Sequence, residues 1–312
     1  MNTESESPTF SVIIRTQGSR DQSLREALES VRDQEFRASE VLVVRHDVPA
    51  DRALRVAAIA DEVLGGHVKL LDVPRGTRAL PIAAGIREAS SDYLLFLDDD
   101  DIALPNWLSS FATAIIRAGS PSLPRAQVLL QHMEESATDP RGYQEVGPQT
   151  REYASTFDLL DHVLVNRTPF MSMAFPRELF VSGVVSVDTT LTVCEDWDLV
   201  LQAATSLPVV DVPEATAVYR RWNHIETSYS RHDVAQWRAA EHQVRERLGS
   251  RDICLPGSSI QRLYSMLELE QELHALREDA DSWRLAERSL SWKLTAPLRS
   301  VSAWISRLHR AR

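Results

Sequence analysis

Short β-branched runs alternate with helical stretches through the first third of the chain, and this alternation limits the possible folds more than any other feature. Phe10–Ile14 (FSVII) predicts a buried strand. In Ser23–Arg32, apolar residues at 24, 27, 28 and 31 predict a helix. Val41–Val44 predicts a second strand, Asp51–Leu64 a helix stopped by Gly65-Gly66, and Val68–Val73 a third strand. Arg78–Ala89 predicts another helix, and Tyr93–Leu97 (YLLFL) a fourth strand. Strands that alternate with helices imply a parallel sheet covered on both faces, an α/β domain. Ligands of such sheets bind beyond the carboxyl ends of the strands.

The fourth strand ends in Asp98-Asp99-Asp100-Asp101. Adjacent carboxylates repel one another, and a hard cation relieves the repulsion. Mg²⁺ takes few protein carboxylates and completes its shell with water and substrate phosphates. Taken alone, the run also fits a solvated acidic turn or a helix cap. Cys194-Glu195-Asp196-Trp197-Asp198 opens a second acidic segment, which taken alone would serve a helix dipole. Tyr219-Arg220-Arg221-Trp222-Asn223-His224 is a third polar cluster.

Between and beyond these motifs the pattern is weaker. Leu104–Ala118 reads as a helix, Gln127–Gln131 as a strand, and the polar stretch His132–Tyr153 as a long loop. Phe170–Phe175 and Val209–Val212 read as strands, and Val193–Ala204 and Asp233–Leu248 as helices. Past these, Met266, Leu269, Leu273, Leu276, Ala280, Trp283, Glu287, Leu290 and Leu294 alternate by three and four, a heptad seam with one polar break. This predicts a coiled coil over 266–294, most simply a homodimer. It divides the chain into a domain of residues 1–250 and a helical extension of residues 251–312.

Composition excludes some classes. The hydrophobic share of 43% suits a packed core, and the net charge of −11 argues against a nucleic-acid partner. Six of the 34 basic residues and no acidic ones fall between Arg288 and Arg312, so the 292–312 tail, bearing Trp292 and Trp304, reads as a surface for anionic membrane. Two isolated cysteines, Cys194 and Cys254, form no disulfide framework and suit a reducing cytoplasm. The polar start MNTESESPTF is unlike a signal peptide, and no apolar run reaches a membrane-spanning length.

Taken together and in order, these segments resemble the family-2 glycosyltransferases of the GT-A fold. The resemblance rests on FSVIIRTQGSRDQSLREALESVRDQ, PRGTRALPIAAGIREASSDYLLFLDDDD, VDTTLTVCEDWDLVLQAA and AVYRRWNHIETSYS, and covers roughly residues 9–230. It implies transfer of a sugar from a nucleotide-sugar donor to an acceptor hydroxyl, with inversion and with Mn²⁺ or Mg²⁺ as cofactor. Asp98 and Asp99 would bind the donor with Arg15, Thr16, Asp47 and Arg78. Asp100, Asp101 and His224 would hold the metal, and Asp196 would be the base, positioned by Glu195. The tail sequence SWRLAERSLSWKLTAPLRS resembles that of some bacterial surface-polysaccharide glycosyltransferases. This implies a glycan or lipid-linked acceptor and a cytoplasmic enzyme lying peripherally on the inner face of the membrane.

The sequence also departs from the family. Arg15-Thr16-Gln17-Gly18 replaces the usual Pro-Thr-Tyr-Asn, and Arg45-His46-Asp47 replaces Asp-Asp-Gly-Ser, so the nucleobase pocket differs from the common uracil pocket. That leaves a rival reading, an impaired GT-A-like scaffold acting through its coiled coil. A nucleotidyltransferase is a further rival, but it would carry a glycine- and lysine-rich phosphate loop near the first strand.

Overall fold

A computed structural model describes residues 7–222, 233–253, 255 and 257–295. The chain divides into two compact units, Met1–Cys254 and Leu255–Arg312.

The first unit is built on a five-stranded sheet. Strands β1 (Phe10–Thr16), β2 (Glu40–His46), β3 (Val68–Val73) and β4 (Tyr93–Asp98) run parallel in the order β3-β2-β1-β4, and the two-residue β8 (Phe175–Pro176) adds antiparallel to β4. Residues alternate between two covered faces, as a doubly buried parallel sheet requires. Val12, Ile14, Leu95 and Leu97 pack in one core with Leu24 and Leu28 of helix α1 (Asp21–Arg32) and Val56 of α2 (Ala50–Leu64). Ile13, Leu42, Val44 and Phe96 pack in the other with Ile82 of α3 (Ala79–Glu88) and Leu199 and Val200 of α7 (Glu195–Ala204). Helix α3 lies so close to β1 that a Cβ on Gly85 would stand 2.5 Å from Ile13 Cγ2.

The chain steps outward from β1 to β3 and then returns to place β4 on the other side of β1. The crevice between β1 and β4 is therefore the point where the strand order reverses, the usual ligand position in such sheets. Register sets Arg15 of β1 beside Asp98 of β4.

A second sheet in the order β5-β9-β6-β7 contains β5 (Ile102–Ala103), β6 (Leu123–Glu135), β7 (Tyr143–Thr150) and β9 (Val209–Trp222). It corrects two sequence expectations. His132–Tyr153 is largely a hairpin of β6 and β7: β7 is a sheet edge whose side chains beyond Tyr143 are mostly exposed, so it lacks the apolar alternation by which strands are recognised. Strand β9 continues ten residues past Val212 because a register shift against β6 accommodates Pro213 and Glu214. Phe170–Phe175 is a 3₁₀ turn at Phe170–Ser172 leading into β8, not one strand. Its apolar character comes from burial, with Phe170 stacked on Phe96 at 4.1 Å between ring centres. Helix α4 (Trp107–Ala118) begins three residues later than expected, after Pro105.

Two short helices, α5 (Leu159–Leu164) and α6 (Glu178–Val181), fill the connection to α7, and α8 (Val234–Gly249) closes the unit with a capping box between Asp233 and Gln236.

The second unit holds the long helix α9 (Gly257–Arg288) and the short α10 (Leu290–Leu294). The seam residues Met266, Leu269, Leu273, Leu276 and Trp283 are exposed. The helix does not run unbroken to Leu294 as the heptads predict. It stops at Ser289, whose hydroxyl accepts the Trp292 N–H at 3.2 Å, the competition from a serine side chain that ends helices. Residues 296–312 of the basic tail lie outside the described residues, as does His224. Among the described residues, no helix is long and apolar enough to cross a membrane.

Candidate active site

Four elements bring acidic and basic side chains to the β1/β4 crevice. The turn after β4 fans the four aspartates apart. Asp98 receives a two-pronged ion pair from Arg15, through Nε and, at 3.0 Å, through Nη2. Asp99 accepts the Thr16 hydroxyl, and that hydroxyl in turn accepts the Gly18 N–H. Asp100 pairs with Arg20 at 2.8 Å. Asp101 is buried and accepts the Arg220 backbone N–H at 2.8 Å, which ties the turn to β9.

One carboxylate oxygen from each of Asp98, Asp100 and Asp101 lies within 4.8 Å of the other two. Burial and the neighbouring aspartate charges push the Asp100 and Asp101 carboxyls up, and Asp99 up to about 7. The cluster therefore carries negative charge that its own arginines do not fully balance, and it suits a hard, oxygen-seeking cation. The metal expectation for Asp100 and Asp101 thus gains Asp98 as a neighbour, while Asp99 turns to Thr16.

Helix α7 supplies the second acidic group. Cys194 precedes it with φ +65°, a left-handed turn unusual for any residue but glycine, and Glu195 and Asp196 then diverge. Glu195 is buried and faces two guanidiniums, Arg15 Nη1 at 2.6 Å and Arg78 Nε at 3.1 Å. Burial favours its neutral form, but Arg78 and Arg15 outweigh that and hold it down at about 2. Asp196 accepts Asn166 Nδ2 at 3.0 Å and the Trp197 N–H at 2.8 Å. Burial, followed by the Glu195 charge, pushes it up to about 6. Two adjacent carboxylates with proton affinities driven this far apart can divide the roles of fixed anion and proton acceptor. Asp198 turns away to Gln202 at 2.7 Å and Arg247 of α8 at 3.2 Å, a bracing position.

Asp98, Arg15, Glu195 and Arg78 thus form one chain of ion pairs, with Asp100 and Asp101 clustered beside Asp98 and with Thr16 bonded to Asp99. Asp47 stands apart at the end of β2 in a left-handed turn, its N–H bonded to the Val73 carbonyl at 3.0 Å, with its exposed side chain beside Arg45 and Arg75 on a separate surface hollow. Sequence reasoning missed Arg20 and Asn166. Asn166 lies in a stretch with no periodic signal and reaches Asp196 only through the tertiary fold.

The mostly parallel sheet flanked by helices is that of the GT-A glycosyltransferases. The chain belongs to glycosyl transferase family 2, whose profile matches residues 11–167, half of its length. Three solved structures of Staphylococcus aureus TarS 1–349 are similar in fold. The complex with UDP-GlcNAc has a TM-score of 0.59 at 18% identity, covering 80% of this chain and 69% of that one. The complex with UDP has a TM-score of 0.51 at 20% identity, and the structure described without a ligand 0.50 at 19%. In both of these the chain spans 60% of the TarS chain. No curated protein matches the chain.

Proposed function

We propose that the protein is an inverting, metal-dependent glycosyltransferase that moves a sugar from a nucleoside-diphosphate sugar to a hydroxyl of a glycan or lipid-linked acceptor in bacterial surface glycan assembly. The observation that carries this reading is the divergence of Glu195 and Asp196, one held as an anion by Arg15 and Arg78, the other poised near neutrality. The likeness to TarS bound to UDP-GlcNAc supports a nucleotide-sugar donor.

Asp98, Asp100 and Asp101 would hold Mn²⁺ or Mg²⁺, with His224 an expected further ligand. When bound, the cation supplies Lewis-acid stabilisation to the charge on the departing diphosphate. Arg20, now on Asp100, must yield that oxygen as the site fills. Asp196 Oδ removes the acceptor's hydroxyl proton as the oxygen attacks the anomeric carbon, and Asn166 holds the carboxylate for this role. Glu195 stays charged and fixes the two arginines beside the donor. One base with no covalent intermediate gives a single displacement and inversion.

The exposed seam of α9 supports self-association as a homodimer. The basic tail supports a cytoplasmic protein peripheral to the inner membrane face.

A screen of nucleotide sugars for hydrolysis and transfer, with and without Mn²⁺, tests the proposal, and NMR of the product reads the anomeric configuration. Metal-stimulated release of a nucleoside diphosphate is expected. Absence of release from every common donor, with metal and across neutral pH, would overturn it.

A further inference from the structure

We propose that the protein has a second anion site, for a phosphate group, in a cavity of about 430 Å³ whose wall includes none of Arg15, Arg78, Glu195 or Asp196. This open cavity is lined by the loop before α1 and its start, the first two turns of α2, the β6–β7 hairpin and the end of β9.

Three independent features of this wall favour an anion. The first is charge. Arg20, Arg52, Arg55 and Arg141 line the cavity against two carboxylates, Asp21 and Glu135. Arg141 is already engaged by Asp139 and Glu145, and Arg20 by Asp100. Arg55 stands 3.9 Å from Asp51, a weak exposed pair, and Arg52 has no hydrogen bond or ion pair among the described residues. The second is α1 itself: its twelve residues begin in the wall and its N-cap residue, Arg20, makes no side-chain cap, so the positive end of the helix dipole lies there.

The third is Trp222. It is only 7% exposed, it lines the cavity, and its indole N–H has no acceptor among the described residues. A buried donor without an acceptor is costly and rare in native structures. A phosphate oxygen would satisfy it. The Arg20 guanidinium lies 4.3 Å over the same indole and donates to Asp100, so one residue joins this cavity to the aspartate cluster. A guanidinium fork, a helix N-terminus and an indole N–H all offer hydrogen to a tetrahedral oxyanion, and none of them offers an acceptor to a cation or a neutral sugar.

The phosphate could be free inorganic phosphate or a phosphomonoester carried by an organic ligand, and two probes separate these sources. Inorganic phosphate and glycerol phosphate are titrated into the full chain by calorimetry and by phosphorus NMR, alone and with saturating UDP and Mg²⁺. Binding of at least one probe to the unaltered protein is expected. It should weaken about tenfold in Arg52→Ala, as loss of a charge-assisted contact implies, and recover in part in Arg52→Lys. Trp222→Phe, with its fold checked by circular dichroism, should also weaken it. The site should still fill when UDP is bound, and Arg52→Ala should leave UDP affinity unchanged. Clear preference for glycerol phosphate assigns the site to an organic phosphate, and equal affinity assigns it to the free anion. No binding of either probe, binding indifferent to both Arg52→Ala and Trp222→Phe, or displacement by UDP would overturn the proposal. Failure of UDP to bind would count against the donor reading alone and leave the phosphate result standing.

Discussion

Replacing Asp196 by Asn separates catalysis from stability because the two should move in opposite directions. The carboxyl is pushed from 3.8 to about 6 by burial and by Glu195, so the folded protein prefers it neutral. At about 1.4 kcal/mol for each tenfold change in proton affinity, keeping it charged at pH 7 costs roughly 2–3 kcal/mol of folding free energy. The sign follows from the raised value: the cost is present above about pH 6 and disappears as the pH falls towards 4. An amide removes the charge, but its single oxygen can accept from only one of Asn166 Nδ2 and the Trp197 N–H, losing one hydrogen bond worth about 1 kcal/mol. Asp196→Asn should therefore be more stable than the parent by roughly 1–2 kcal/mol at pH 7, and no more stable near pH 4. Turnover should fall by about 10² or more, since an amide takes no proton. In the parent, kcat should rise about tenfold per pH unit up to about pH 6 and then level. Urea unfolding at both pH values and steady-state kinetics across pH check this. A destabilised variant, or one with near-normal turnover, would refute the assignment of Asp196 as the desolvated base.

Asp100→Asn should lose the metal-dependent part of nucleoside-diphosphate binding, read by calorimetry with and without Mn²⁺, because it removes a charge from the Asp98–Asp100–Asp101 cluster. Gly85→Ala should lower stability by roughly 1–2 kcal/mol despite alanine's better helix propensity, since its Cβ meets Ile13 Cγ2 at 2.5 Å. Thermal unfolding shows the loss. Cys194→Val should cost of order 1–3 kcal/mol and lower kcat, whereas Cys194→Gly should stay close to the parent, because only glycine accepts φ +65° freely. Equal behaviour of the two variants would remove backbone strain from the account. Ending the chain at residue 256 should leave the melting temperature of the first unit unchanged and abolish self-association measured by light scattering. A parent that is monomeric would contradict the exposed seam of α9 as a dimer contact.

The sequence by itself determined the parallel sheet and the place of the site. Strands β1 to β4 are short apolar runs with helices between them, and local periodicity records burial on both faces regardless of what else the chain does. The aspartate run declared the end of β4, because four carboxylates cannot continue a buried strand. Sequence could not reveal β7, whose side chains are polar because it is an edge, or the length of β9, which depends on a bulge against β6. Pattern alone could not tell Glu195 from Asp196 either; it was the resemblance to a family that singled out Asp196 as the base. The two are neighbours in the chain and chemically alike; only the fold sets Arg15 from β1 and Arg78 from the start of α3 against one, and Asn166 and a buried wall against the other. Proton affinity depends on burial and on charges within a few ångströms, and the guanidiniums that hold Glu195 come from 180 and 117 positions away along the chain.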